Sequence, residues 1–328
     1  MNTIRLHAFG PAENLRYETV PDPAPGPGQV RIAVAAAGVH VIDTALRQGL
    51  PGPYPLPELP TIPGREVAGI VDEIGDGVDP SWIGKQVVTH LGTVPGGYAA
   101  LAVADVVRLH EIPATLDPAA AVAMIGTGRT AMGILQFADL GPESVVAVTA
   151  AAGGIGTLLV QYAKNVGATV IGLGGGPAKV ERIEANGVDL AVDYLLPDWP
   201  SRVRGLLGDR GLTVFFDAVG GETARAALDL VERGGRRLVY GFAGSGPDDA
   251  PVTEAELAER GISSPALLGP AMLQPVGGDI RVLEDRALAE AAAGRLRPAV
   301  QRFPLADAAG AHRAIETRAT MGKVVLIP

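Results

Sequence analysis

The stretch Val145-Val-Ala-Val-Thr-Ala-Ala-Ala-Gly-Gly-Ile-Gly156, continuing into Thr157-Leu-Leu-Val-Gln-Tyr-Ala-Lys164, decides how the chain is read. A short Val-rich apolar run reads as a buried parallel strand. A glycine turn follows, and then apolar residues at helical spacing. This strand–turn–helix context turns a glycine motif into a dinucleotide-site expectation. Gly153 lets the backbone approach a pyrophosphate, with Ala151, Gly154 and Ile155 beside it, and Gly156 lets the helix pack close to the strand. The amides at the helix start favour phosphate charge.

The second strand of the unit, Ala168-Thr-Val-Ile-Gly-Leu173, ends in Gly174-Gly-Gly176. A site selective for NADH usually carries Asp or Glu here, holding the ribose hydroxyls. This chain has no acid until Glu181, and Lys179 and Arg182 lie nearby. A carboxylate would repel a 2′-phosphate, whereas Gly174, Gly175 and a cation such as Lys179 accept it. The expected cofactor is NADPH.

Strand and helix patterns alternate around this motif, with strands near 145–149, 169–173, 189–193, 212–217 and 236–240 and a helical pattern from Thr223 to Glu232. Such alternation implies a doubly wound parallel sheet. Residues 1 to about 115 differ. They are rich in Pro and Gly and hold short runs such as Gln29–Ala36, Val67–Ile74, Gln86–Thr89 and Tyr98–Val103, the mark of a compact β-rich domain. The tail returns to a mixed pattern: a helix near 277–293, a strand near 299–303, a helix near 305–317 and a strand Lys323–Ile327. The Pro-dense segment Pro51–Pro63 reads as an ordered loop.

Bulk properties narrow the function classes. The chain has 328 residues, 47% of them hydrophobic, enough for two domains. With no cysteine, disulfides, thiolate-bound zinc and cysteine nucleophiles are excluded. No apolar run reaches a membrane span, and residues 1–20 lack a signal-peptide pattern, so the expected setting is the cytoplasm. A net charge of −9 and only 4% aromatic residues argue against nucleic acid as a partner.

Several motifs together resemble the medium-chain dehydrogenase/reductase superfamily, in its zinc-free quinone oxidoreductase (zeta-crystallin-like) branch. They are Ala37-Gly-Val-His-Val-Ile-Asp43 with Arg47-Gln-Gly49, Pro63-Gly-Arg-Glu-Val-Ala-Gly69, Gly84-Lys-Gln-Val-Val88 and Gly96-Gly-Tyr-Ala99. Further on come Ala150–Gly156, Asp217-Ala-Val-Gly-Gly221, Gly234-Gly-Arg236, Tyr240–Ser245 and Thr317–Leu326. The resemblance implies an α/β chain: a GroES-like β-rich catalytic domain over 1–118, a Rossmann nucleotide-binding domain over 119–262 and a return to the catalytic domain over 263–328. It also implies a cleft between the domains and a homodimer.

The resemblance assigns further residues. Zinc alcohol dehydrogenases of this superfamily have Cys where this chain has His40, and Gly-His-Glu where it has Gly64-Arg65-Glu66. His40, Asp43 and Glu66 carry donor atoms for a metal, but the Arg65 guanidinium would repel a dication and the cysteine-rich lobe is missing, so no catalytic zinc is expected. Without a metal, the protein places NADPH against an electron-poor acceptor, a quinone or an α,β-unsaturated carbonyl compound. His40 donates to the nicotinamide amide or the substrate oxygen, or only ties a loop to the backbone. Asp43 and Arg47 line the cofactor end of the cleft in relatives, with Asp43 orienting Arg47 or the loop. Ala45 removes a tyrosine some relatives have there, leaving Tyr54 as a secondary donor. By motif, Thr130 faces the nicotinamide ribose, Tyr194 lies near the adenosine phosphate, Gly241, Phe242 and Ala243 end a sheet strand at the ligand edge, and Lys323 meets phosphate. The expected reaction is reduction of a small electrophile such as a quinone. The alternatives are an enoyl or enone double-bond reductase and, in another class, a non-catalytic nucleotide- or RNA-binding crystallin-like protein.

Overall fold

The computed structural model describes residues 1–50, 55–241 and 251–328. The chain forms two compact units, Met1–Gly128 with Pro298–Pro328, and Arg129–Arg297.

In the first unit, β1 (Asn2–Leu6) and β2 (Leu15–Thr19) form a hairpin-like pair. The main sheet contains β3 (Gln29–Val39), β4 (Glu66–Ile74), β5 (Gln86–His90), β6 (Leu101–Asp105) and the short β7 (His110–Glu111). From the tail come β13 (Val300–Pro304) and β14 (Lys323–Ile327). Its order is β13-β14-β3-β4-β5-β7, with β6 also on β3. Alternation along β3 buries Val30, Ile32, Val34, Ala37 and Val39 in one apolar core with Val67, Val71, Val87 and Leu326. Helices α1 (Val41–Gln48), α2 (Pro118–Ala123) and α11 (Ala308–Glu316) belong to this unit.

One feature of this topology positions side chains for chemistry. Both β4 and β14 run antiparallel to β3, with Ala37 opposite Val67 and Val39 opposite Val324. The first residues of both strands therefore meet the end of β3. Glu66 opens β4, Lys323 opens β14, and His40 follows β3.

The second unit is built on five parallel strands in the order β10-β9-β8-β11-β12. These are β8 (Val145–Thr149), β9 (Thr169–Gly174), β10 (Leu190–Asp193), β11 (Leu212–Asp217) and β12 (Val231–Val239). All five residues of β8 are buried, as a central strand covered on both faces requires. Helices α4 (Gly154–Asn165), α5 (Pro177–Glu184), α6 (Trp199–Leu207) and α7 (Gly221–Leu228) connect the strands. Helices α3 (Arg129–Leu135), α8 (Glu254–Arg260), α9 (Pro270–Leu273) and α10 (Ile280–Ala292) complete the unit.

The units differ from the expected boundaries of 119–262 and 263–328 at both ends. α2 packs on β3 and β4, which keeps residues through Gly128 in the first unit. α10 packs on α3, and Arg129 pairs with Glu284 at 2.9 Å, which keeps 263–297 in the second. The helical pattern expected from Thr223 to Glu232 stops at Leu228. The chain turns into β12 at Val231, where ladder pairing with Leu212 outweighs helical spacing. Among the described residues, no helix is long and apolar enough to cross a membrane.

Candidate active site

Each unit carries one group of candidate residues. In the second unit they gather at the carboxyl ends of the parallel strands, where ligands bind in open α/β sheets. Ala150–Gly153 leave β8, Gly174 ends β9 and Gly175 follows it, Tyr194 follows β10, and Gly241 follows β12. Ala150 turns with a positive φ of 50°, and Gly153 is the N-cap of α4. This cap offers no side-chain acceptor to the first amides of the twelve-residue helix. A Cβ at Gly156 would overlap the Ala150 carbonyl and the Ala151 backbone, so only glycine allows α4 this close to the turn.

At β9 the glycine end is open in backbone terms. Gly176 caps α5 with φ 91° and no side-chain cap. A Cβ on Gly175 would stand 3.0 Å from the Tyr194 hydroxyl, and one on Gly174 would stand 3.1 Å from Cβ of Lys179. Gly174, Gly175, Lys179 and Tyr194 are thus brought together. A linear reading missed one acid here. Asp193, at the end of β10, accepts from the amides of Gly176 at 2.9 Å and Leu195 at 3.0 Å. Its carboxylate is spent on shaping this turn. Thr130 is half-buried on α3. Phe242 and Ala243 lie outside the described residues, as does Tyr54.

In the first unit the group is made of side chains. His40 is the N-cap of α1, and Asp43 Oδ2 reaches back to accept from the His40 amide at 2.8 Å. Asp43 therefore fastens the loop. Its other neighbours are the Tyr98 hydroxyl, donating at 3.2 Å, and Arg65 at 3.7 Å. Tyr98 lies 3.1 Å from His312 Nε2, so the chain is satisfied when His312 donates to Tyr98 and Tyr98 to Asp43. Burial, with the Asp43 charge second, pushes the Tyr98 hydroxyl far above its ordinary range. Burial, helped by the Arg47 charge, holds His312 down at about 3, so it is neutral. The pairing of Tyr98 with Asp43 and His312 carried no warning in the sequence, because the partners are 55 and 214 residues away.

The imidazole of His40 meets two charged groups. Nε2 lies 2.6 Å from Glu66 Oε1 and 2.6 Å from Lys323 Nζ, and Lys323 Nζ lies 3.0 Å from Glu66 Oε2. Glu66 is fully buried and Lys323 is 4% exposed, whereas the His40 side chain keeps 30%. Burial alone would raise the Glu66 pKa. The electrostatic influence of His40 and of the Lys323 ammonium outweighs it and holds the carboxyl well below its usual range. The pocket is built for this carboxylate. Side chains at Gly38 or Gly126 would overlap it, and Gly126 reaches it through a π-helical turn over Met124–Gly128 that follows α2.

Two of the expected site residues have partners within the first unit. Lys323, expected on phosphate, is buried against Glu66 and His40, because the start of β14 abuts the end of β3. Arg47, expected at the cofactor end, turns instead to Gly10, donating to its carbonyl at 2.9 Å, and to the Glu316 carboxylate of α11. It locks α1 to the rest of the unit.

Comparison with known proteins identifies the family. A family model described as an alcohol dehydrogenase GroES-like domain matches residues 26–114, and one described as a zinc-binding dehydrogenase matches 154–275. A quinone oxidoreductase of Pseudomonas aeruginosa is 33% identical, over 99% of both chains. The chain belongs to the medium-chain dehydrogenase/reductase superfamily, in its quinone oxidoreductase branch, and is an oxidoreductase. A 2-haloacrylate reductase of a Burkholderia species is also 33% identical, over 98% of both chains. Among solved structures, an Escherichia coli quinone oxidoreductase complexed with NADPH covers both chains completely, with a TM-score of 0.85 at 27% identity.

Proposed function

We propose that this chain is a zinc-independent, NADPH-dependent reductase that reduces a quinone or a similar electron-poor carbonyl compound. The observation that carries the reading is the start of α4: a glycine N-cap without side-chain acceptor, pressed onto the β8 turn by Gly156. That cradle fits a pyrophosphate. Gly174 and Gly175, with Lys179 and Tyr194 beside them, take the 2′-phosphate, and Asp193 holds the turn by its backbone. Thr130 and Gly241 contribute to the rest of the cofactor site. When bound, NADPH supplies the hydride.

His40 supplies a hydrogen bond to the substrate oxygen, on which negative charge develops. Asp43 holds His40 at the start of α1 by its amide. Zinc independence is supported by the protein's own cation: Lys323 sits within 3.0 Å of both His40 and Glu66, where a dication would meet an ammonium group. The enzyme acts on small molecules, and a cytoplasmic homodimer is part of the proposal. A second reading, reduction of an activated carbon–carbon double bond, is favoured by the Burkholderia relative.

The test is a panel of 1,4-benzoquinone, an enone, an enoyl thioester and 2-chloroacrylate, followed by NADPH absorbance with and without a chelator. Quinone turnover indifferent to the chelator is expected. Turnover restricted to the double-bond substrates selects the second reading, and no turnover with any of them overturns both.

A further inference from the structure

The nitrogen Nε2 of His40 lies 2.6 Å from an ammonium donor and 2.6 Å from a carboxylate acceptor. It carries either a lone pair or a proton, so it serves one partner at a time. With a lone pair it accepts from Lys323. With a proton it has Glu66 Oε1, a buried carboxylate oxygen that makes no other hydrogen bond, 2.6 Å away. Each state has a ready partner, and neither partner has room to leave. Glu66 is walled in by Gly38 and Gly126, and Lys323 is anchored at the start of β14 and buried. His90, at the end of β5, adds a weaker electrostatic influence on Glu66. With Nε2 committed to this cluster, Nδ1 is the ring nitrogen left to meet a substrate.

We propose that Lys323 and Glu66 form a proton relay behind His40, with Lys323 reloading the imidazole as it protonates the reduced substrate. The inference rests on the reductase reading above. A substrate that has accepted a hydride carries a new electron pair on its oxygen. The Nδ1–H bond of His40 breaks as the O–H bond forms. An N–H bond of Lys323 breaks as the Nε2–H bond forms. The imidazole stays neutral and changes tautomer, and the new Nε2–H turns to Glu66 Oε1. The cycle closes when Nδ1 of the partly exposed His40 takes a proton from water and Nε2–H returns its proton to the neutral amine of Lys323, restoring the Nδ1–H imidazole and the ammonium. Lys323 is a positioning and proton-supplying residue that acts through His40.

Two measurements test the relay. The first uses the full chain with 15N-labelled histidine and no cofactor, at about pH 8, above the ordinary imidazole range. The wild type is expected to hold the His40 proton on Nδ1, and Lys323→Met to move it to Nε2. The same tautomer in both overturns the relay. The second uses NADPH and 1,4-benzoquinone. Lys323→Met is expected to lower kcat about tenfold or more, less than the hundredfold or more of a lost general acid because Lys323 acts through His40, with NADPH affinity unchanged and partial rescue by added ethylamine. Lys323→Arg keeps the charge but cannot pass a proton, and is expected to stay slow. It also carries the test should Lys323→Met fail to fold. Lys323→Arg turning over at the wild-type rate, or a parallel loss of NADPH affinity in Lys323→Met, overturns the relay. A wild type that neither binds NADPH nor turns over quinone defeats the reductase reading instead and leaves the tautomer measurement to decide.

Discussion

The β8–α4 turn and the His40–Glu66–Lys323 cluster are opposite ways of making a site. The turn is backbone: a glycine cap, a close approach and the amides of one helix, all within Ala150–Gly156. The cluster is side chains drawn from the ends of three strands, with glycines 38 and 126 shaped around them. A backbone site tolerates changes in side-chain chemistry but not in volume. A side-chain cluster tolerates little change in charge, because each buried ion is held in place by the others.

The largest expected effect follows from that contrast. Glu66→Ala leaves Lys323 buried without its carboxylate, and breaking such a pair costs about 3–5 kcal/mol. Urea unfolding checks it, and a loss below about 1 kcal/mol would place the pair among those that contribute little. Gly156→Val comes next. Overpacking against Ala150 and Ala151 is expected to cost about 1–3 kcal/mol and to abolish NADPH binding. Calorimetric titration and a thermal melt separate the two effects. Retained affinity would show that α4 does not cradle the phosphates.

His40→Ala is expected to lower turnover about a hundredfold, the lower end for a lost acid, with NADPH affinity little changed. Unchanged kinetics would reduce His40 to a loop tie. Acid stability offers a smaller effect in the same unit. His312 is held neutral, with its pKa lowered from 6.5 to about 3. The unfolded chain therefore binds a proton that the native state refuses as pH falls below 6.5, and stability declines through that window toward 3. Glu66 adds its own loss below 4.5, where the unfolded carboxyl protonates before the native one. His312→Asn is expected to flatten stability between 6.5 and 4.5 while leaving the lower limb, as read by melting temperature against pH. An unchanged slope in that interval would contradict the assignment. The smallest effect is expected at Lys179→Ala, weakening NADPH by about tenfold, the scale of one charge-assisted contact, and NADH hardly at all.

What the sequence revealed follows the same division. The turn was legible because its strand, glycines and helix are contiguous, and the parallel sheet followed from the regular spacing of Val145–Thr149, Thr169–Gly174 and Leu212–Asp217. The cluster was legible only in pieces. His40 and Glu66 stood out by motif, yet Lys323 pointed to phosphate, because nothing local says that β14 begins beside the end of β3. Tyr98 and His312 read as ordinary residues until tertiary pairing joined them to Asp43. Asp193 was invisible as a turn anchor for the same reason, since its partner Gly176 lies across the β9–β10 pair.

The most direct measurement is a coenzyme titration of the purified protein, following NADPH and NADH in parallel. The account predicts saturable binding of both, with NADPH the tighter. No affinity for either coenzyme, or tighter binding of NADH, would contradict it.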